Sequence, residues 1–213
     1  MEVLNHILSW LCHQDAARSF SWAGWTAPLC HRCAGVYVGF LLGAAFAAAA
    51  PRRPRGFGPW PVVAWNVAAL AQMAVFGFHL VGQGVGARFT TGLVFGGALA
   101  WLAAPVFWNY VLGRPTRSWR PADLGAYAAI VAATIAAGLA APFWVRGPVV
   151  AIVAVLAVAG AAAAYSLVNV TLVFWLFGGP FKAKRSAIAA AAGLGLAALE
   201  VGALGLFRAG AAG

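Results

Sequence analysis

Residues 30–50 read CHRCAGVYVGFLLGAAFAAAA, and this stretch decides the fold. Past Cys33 it carries no charge, so 34–50 is an apolar run close to the ~20 residues that a helix needs to cross hydrocarbon. Gly35, Gly39 and Gly43 recur at every fourth position, which places them on one helix face. In lipid, small residues let helix backbones approach where burial of apolar surface no longer drives association. The spacing therefore predicts a first helix packed tightly in the centre of a bundle. Gly92 and Gly96 repeat the same spacing on a later run.

Composition extends this reading to the whole chain. Hydrophobic residues make up 63% of the 213 positions and charged residues 8%, against about 25% charged in soluble domains. The mean hydropathy is +0.87. Further apolar runs cover roughly 60–82, 89–112, 121–144, 149–177 and 187–207. The fourth opens at Pro121 with Asp123 in its first turn, a helix-start pattern. The expected fold is all-α: a polytopic membrane bundle of about six transmembrane helices, 34–213, below an N-terminal Cys/His-containing cap, 1–33. The run at 3–11 is too short to span and lacks a basic flank, so it reads as an interfacial helix rather than a signal peptide.

The net charge of +10 does not point to nucleic acid, because the cations fall in short clusters between apolar runs. Loops after runs one, three and five hold nine of them: Arg52, Arg53, Arg55, Arg114, Arg117, Arg120, Lys182, Lys184 and Arg185. The opposite side holds Arg18, Arg32, Arg88, Arg146 and Arg208. Positive-inside asymmetry places the three loops in the cytoplasm, and both termini and the cysteine segment outside.

All three cysteines, Cys12, Cys30 and Cys33, lie in the cap, with His13 and His31 among them. Three chemistries use this set. Thiolates and imidazole suit a tetrahedral metal centre, zinc first, with ligands Cys12, His13, Cys30 and Cys33. His31 or His79 stand as substitutes for His13, and ligand type alone leaves iron or copper open. Covalent haem attachment does not fit, since Cys33 is followed by Ala34. Alternatively, Cys30 and Cys33 form a redox dithiol, with Arg32 favouring a thiolate and Cys12 as a third, resolving thiol. The third reading is a structural disulfide with one free thiol. Arg18 and Arg32 are expected to bind an anion or to order the loop. No base is identifiable for Ser19 as a nucleophile.

Polar residues within the runs are few. Asn66, Gln72, Asn109 and Asn169 read as interhelical hydrogen-bonding amides. His79, Gln83, Arg88 and Glu200 fall toward the cysteine side and are expected to form an outer pocket, and an ionisable group in a span marks function by default. A small-solute or lipid transporter using Glu200 and His79 is a further reading.

The pattern Cys12-His13, Arg18-Ser19-Phe20, then Cys30-x-Arg32-Cys33-x-Gly35-x-Tyr37-x-Gly39 resembles the signature of a bacterial and archaeal membrane family, domain of unknown function 2085. Arg88-Phe89-Thr90-Thr91-Gly92 is similar to a second segment of that family. The chain departs from the pattern at Ala16, where proline is expected, and at His31, where a small residue is usual. It also lacks an Asp-Gly ahead of Gln72. The resemblance covers about the first half of the chain and implies a multi-pass protein of a prokaryotic cell membrane. It brings no activity with it, only membrane lipid as surroundings.

Overall fold

The computed structural model describes residues 12, 15–49, 55–77, 81–176, 191–200 and 202. The expected interfacial helix at 3–11 lies outside them, as do His13 and His79. Among the described residues, five helices are long and apolar enough to cross a membrane. These are α1 His31–Ala48, α2 Trp60–Gly77, α3 Val85–Val106, α4 Pro121–Leu139 and α6 Val149–Leu176. A short α5, Ala141–Trp144, lies between the last two, and an apolar α7, Ala191–Glu200, falls within the sixth run. The polytopic helical bundle stands, with one addition. A hairpin of β1 Ser19–Trp22 and β2 Trp25–Cys30 crowns the cysteine end.

The hairpin turns on Ala23 and Gly24, both at positive φ (50° and 77°), with Trp22 paired to Trp25. Two successive left-handed residues give the turn whose twist matches that of antiparallel strands. Strand β2 then runs straight into α1, so Cys30 is both its last residue and the N-cap of the helix. The first helix thus begins at His31, three residues before the apolar run, and Cys33 sits within its first turn.

The glycines seat α1 against α3. A Cβ on Gly35 would collide with the Phe89 carbonyl, one on Gly39 with the Leu93 carbonyl, and one on Gly43 would lie 2.8 Å from the Gly97 oxygen. From the other side, Gly92 and Gly96 face the carbonyls of Arg32 and Val36. The two helices run in the same direction with their glycine faces together, which gives α1 the tight packing that its spacing predicts. Gly160 of α6 similarly faces the Tyr37 carbonyl, so α1 is enclosed by two neighbours. Backbone cannot yield as a side chain can, so Gly39→Val should destabilise the bundle by about 1–3 kcal/mol, the usual cost of overpacking. Unfolding in detergent checks this, with Gly125→Ala, which meets nothing within 4 Å, as the neutral comparison.

Two run ends differ from their expected form. Two residues after Pro105 the ladder of α3 lengthens, Leu112 N–H donating to the Phe107 carbonyl at 3.2 Å, and the helix finishes as a π turn, Phe107–Val111. A proline inside a helix removes one amide hydrogen and crowds the preceding turn, a common origin of such irregularities. The fourth run breaks at Ala140, just before Pro142, into α4 and α5.

Amides tie the helices together. Buried Asn66 donates to the Val62 carbonyl and to the Tyr127 hydroxyl, both at 2.7 Å, joining α2 to α4. Gln72 donates to the Thr91 carbonyl at 2.9 Å, joining α2 to α3. Asn109 is exposed on the π turn. At the end remote from the hairpin, Asp123 gathers the basic loops. Arg55 reaches it at 2.7 Å and Arg117 at 2.6 Å, and the Arg120 amide donates to it at 2.8 Å.

Candidate metal centre

Strand, cap and helix place the cysteines in turn. Cys30 ends β2, opposite Ser19 in the register, and Cys33 follows one helical turn later on the same face of α1. Cys12 is 4% exposed and packs in the core cluster with Phe20, Leu29, Ala34 and Phe89. Its Sγ accepts the Cys30 backbone N–H at 3.3 Å. That amide is one of the unpaired donors of a helix N-terminus, so the sulfur serves as its partner. The three Sγ atoms all lie within 4.8 Å of one another, and none is in a disulfide.

A zinc ion with tetrahedral Zn–S bonds of ~2.3 Å separates its sulfurs by roughly 3.8 Å. With no pair farther apart than 4.8 Å, the cluster has to close by at most about 1 Å per pair to meet that requirement. The Cys30 thiol is pushed up, chiefly by its hydrogen bond with Cys12 and further by burial. The Cys12/Cys30/Cys33 group could therefore hold a metal ion, as three soft donors converging in a largely apolar surround.

The remaining predicted residues divide. His31 is 4% exposed and meets Phe20 edge to face at 4.4 Å, and it is not part of the sulfur cluster. Its Nδ1 is buried with no hydrogen-bond partner among the described residues. Arg18 pairs with Asp15 at 2.9 Å, both 44% exposed, an ion pair worth at most about 1 kcal/mol. Ser19 is buried and donates to the Asp15 carbonyl at 3.0 Å, so its hydroxyl shapes the chain.

Arg32, Gln83 and Arg88 come together. Arg32 Nη2 donates to Gln83 Oε1 at 2.8 Å, and Arg88 Nε donates to the Gln83 backbone carbonyl at 2.8 Å. Arg32 also reaches the Gly77 carbonyl at 3.5 Å, so the start of α1 is tied to the α2–α3 connection. Glu200 is not brought to this group. It accepts from Asn169 at 2.9 Å, and the next residue, Val170, packs with Val111 and Phe107 at the basic-loop end. Sequence reasoning missed the hairpin that leads into Cys30 and the bridge that Gln83 makes between two arginines. The Ala23-Gly24 pair between tryptophans was the available signal for the first; no local signal announced the second.

Five apolar spans under a hairpin that gathers three thiols define a multi-pass membrane protein with a thiol cluster at one end of its bundle. Residues 12–102, less than half of the chain, match the model of a family described as "Predicted membrane protein (DUF2085)". The match begins at the first cysteine and takes in the second signature segment at Arg88, in agreement with the resemblance of the motif. No curated protein and no solved structure matches the chain.

Proposed function

We propose that this protein binds one zinc ion through Cys12, Cys30 and Cys33, with His13 as the fourth ligand, at the extracytoplasmic mouth of its helix bundle. The observation that carries the reading is the convergence within 4.8 Å of three sulfurs, of which Cys12 and Cys30 lie eighteen residues apart. A closed four-ligand site is structural in character, and its binding energy is folding energy. Bound there, zinc would supply a cross-link that holds the hairpin and the N-terminal segment onto α1. Three thiolates exceed the ion's charge, and the guanidinium of Arg32, on the same helical turn, offsets the remainder. Elemental analysis of purified protein tests this: about one zinc per chain, with thiols that become titratable only after chelation, is the expected result. Metal-free protein with all three thiols freely titratable would overturn it.

A membrane thiol oxidoreductase is the second reading, favoured by Cys30 standing at a helix N-terminus with Cys33 one turn on.

The orientation rests on the nine Lys and Arg of the three alternate loops, and on the prokaryotic cell membrane that the family resemblance implies. A membrane-impermeant thiol reagent should label Cys12, Cys30 and Cys33 in intact cells after chelation and reduction. Labelling that appears only after lysis would reverse the topology.

A further inference from the structure

Between α1, α2, α3 and α4, toward the basic-loop end, lies a chamber of about 50 Å³ that the zinc reading does not use. Leu42, Val94 and Ile130 give it apolar walls. Trp101 lines it too, 4% exposed, and its indole Nε1–H is buried with no acceptor among the described residues. Tyr127 lies beside Trp101, ring centroids 4.9 Å apart, and its hydroxyl oxygen already accepts from Asn66. The phenol hydrogen therefore also seeks an acceptor. A buried donor left unpaired is costly, and native structures supply it with a partner. An occupant that brings a hydrogen-bond acceptor on an apolar body would supply the partner that these donors beside the chamber lack among the described residues.

Size and position narrow the class. The volume is several times the ~10–15 Å³ that holds one water, but well below the ~150 Å³ of a cavity that takes benzene. The enclosed space takes a short piece of a slim chain, the remainder lying along the lipid-facing surface. Leu42 and Ile130 are exposed on the lipid-facing surface at 51% and 37%, so the chamber borders the bilayer. At its loop end, Phe46 stacks on Trp101 at 5.3 Å and carries the Arg55 guanidinium 4.6 Å above its ring. Arg114, Arg117 and Arg120 belong to the same end, where Asp123 pairs with Arg55 and Arg117.

We propose that the chamber is a binding site for an acidic glycerophospholipid of the surrounding bilayer. An acyl chain enters between α1 and α4, its ester carbonyl accepts from Trp101, and its phosphate lies toward the arginines of the basic loops. Anionic headgroups gather at clustered Lys and Arg beside spans.

Native mass spectrometry of the whole protein, released from detergent with added phosphatidylglycerol or phosphatidylcholine, tests the site. Wild-type protein should retain one phosphatidylglycerol in preference to phosphatidylcholine. Trp101→Phe removes the donor together with the second ring of the indole, so its affinity should fall at least about threefold, the worth of one hydrogen bond. Gly97→Val should fall at least as far by filling the chamber, since a Cβ there meets only the Gly39 carbonyl at 3.7 Å. Trp60→Phe, altering a ring that is 77% exposed on the lipid face, should bind as wild type does. Wild-type protein that retains no lipid, or equal retention by wild type and Trp101→Phe, would overturn the site. Equal retention of the two lipids would overturn the acidic headgroup.

Discussion

Replacing Cys30 by serine is expected to lower bound zinc from about one ion per chain to less than a tenth of that. Even the outer hydrogen-bond partners of a metal site typically cost about 10–100-fold in affinity when changed, and a lost thiolate removes a bond to the ion itself. Cys30 also has a position that no other ligand has. It ends β2 and caps α1, and its amide donates to the Cys12 sulfur. Losing its sulfur removes the metal cross-link at the strand–helix junction, while its amide still donates to the Cys12 sulfur. Cys33→Ser should behave alike, because Cys33 lies in the first turn of α1. Cys12→Ser should also release the ion, but with less disturbance of the helix start. Metal content and protease sensitivity of the segment ahead of α1 separate the two effects. Full zinc occupancy in Cys30→Ser would refute the ligand assignment.

Asp123→Ala should cost about 2–3 kcal/mol of stability. Removing one partner of a buried ion pair typically costs ~3–5 kcal/mol, because the other charge is left uncompensated. Here the side chains of Arg55 and Arg117 keep 14% and 22% of their exposure, against 7% for Asp123, so water recovers part of the loss. The carboxylate also accepts the Arg120 amide as the cap of α4. Asp123→Asn, which retains an acceptor for that amide, should fall between alanine and wild type. Thermal unfolding in detergent gives the ranking. Equal stability of all three would show that the basic loops are held by something other than this carboxylate.

What the sequence disclosed, it disclosed through rules that act locally. Gly35, Gly39 and Gly43 could be read because only small residues allow a carbonyl of α3 to lie where their Cβ atoms would be. Asn66, Gln72 and Asn169 could be read as helix-to-helix donors because an unpaired amide in lipid is costly. The clustering of Cys12, Cys30 and Cys33 was legible in that all three lie in one short segment, although their convergence depends on a hairpin that was not foreseen. Strands of four and six residues carry too little periodicity to stand out beside membrane-length runs. Partners across the bundle were the least legible. Depth counting put Glu200 on the cysteine side, whereas its side chain meets Asn169, and nothing near either residue announces that choice. The chamber beside Trp101 was invisible for the same reason, since its walls come from four helices.

Zinc-edge X-ray absorption on the purified protein reads the ligands themselves. The proposed site requires three sulfur scatterers at about 2.3 Å and one nitrogen at about 2.0–2.1 Å from the metal. Cys30→Ser should abolish the sulfur-rich signal. A metal surrounded by oxygen and nitrogen alone, or no metal together with a Cys30–Cys33 disulfide, would contradict it.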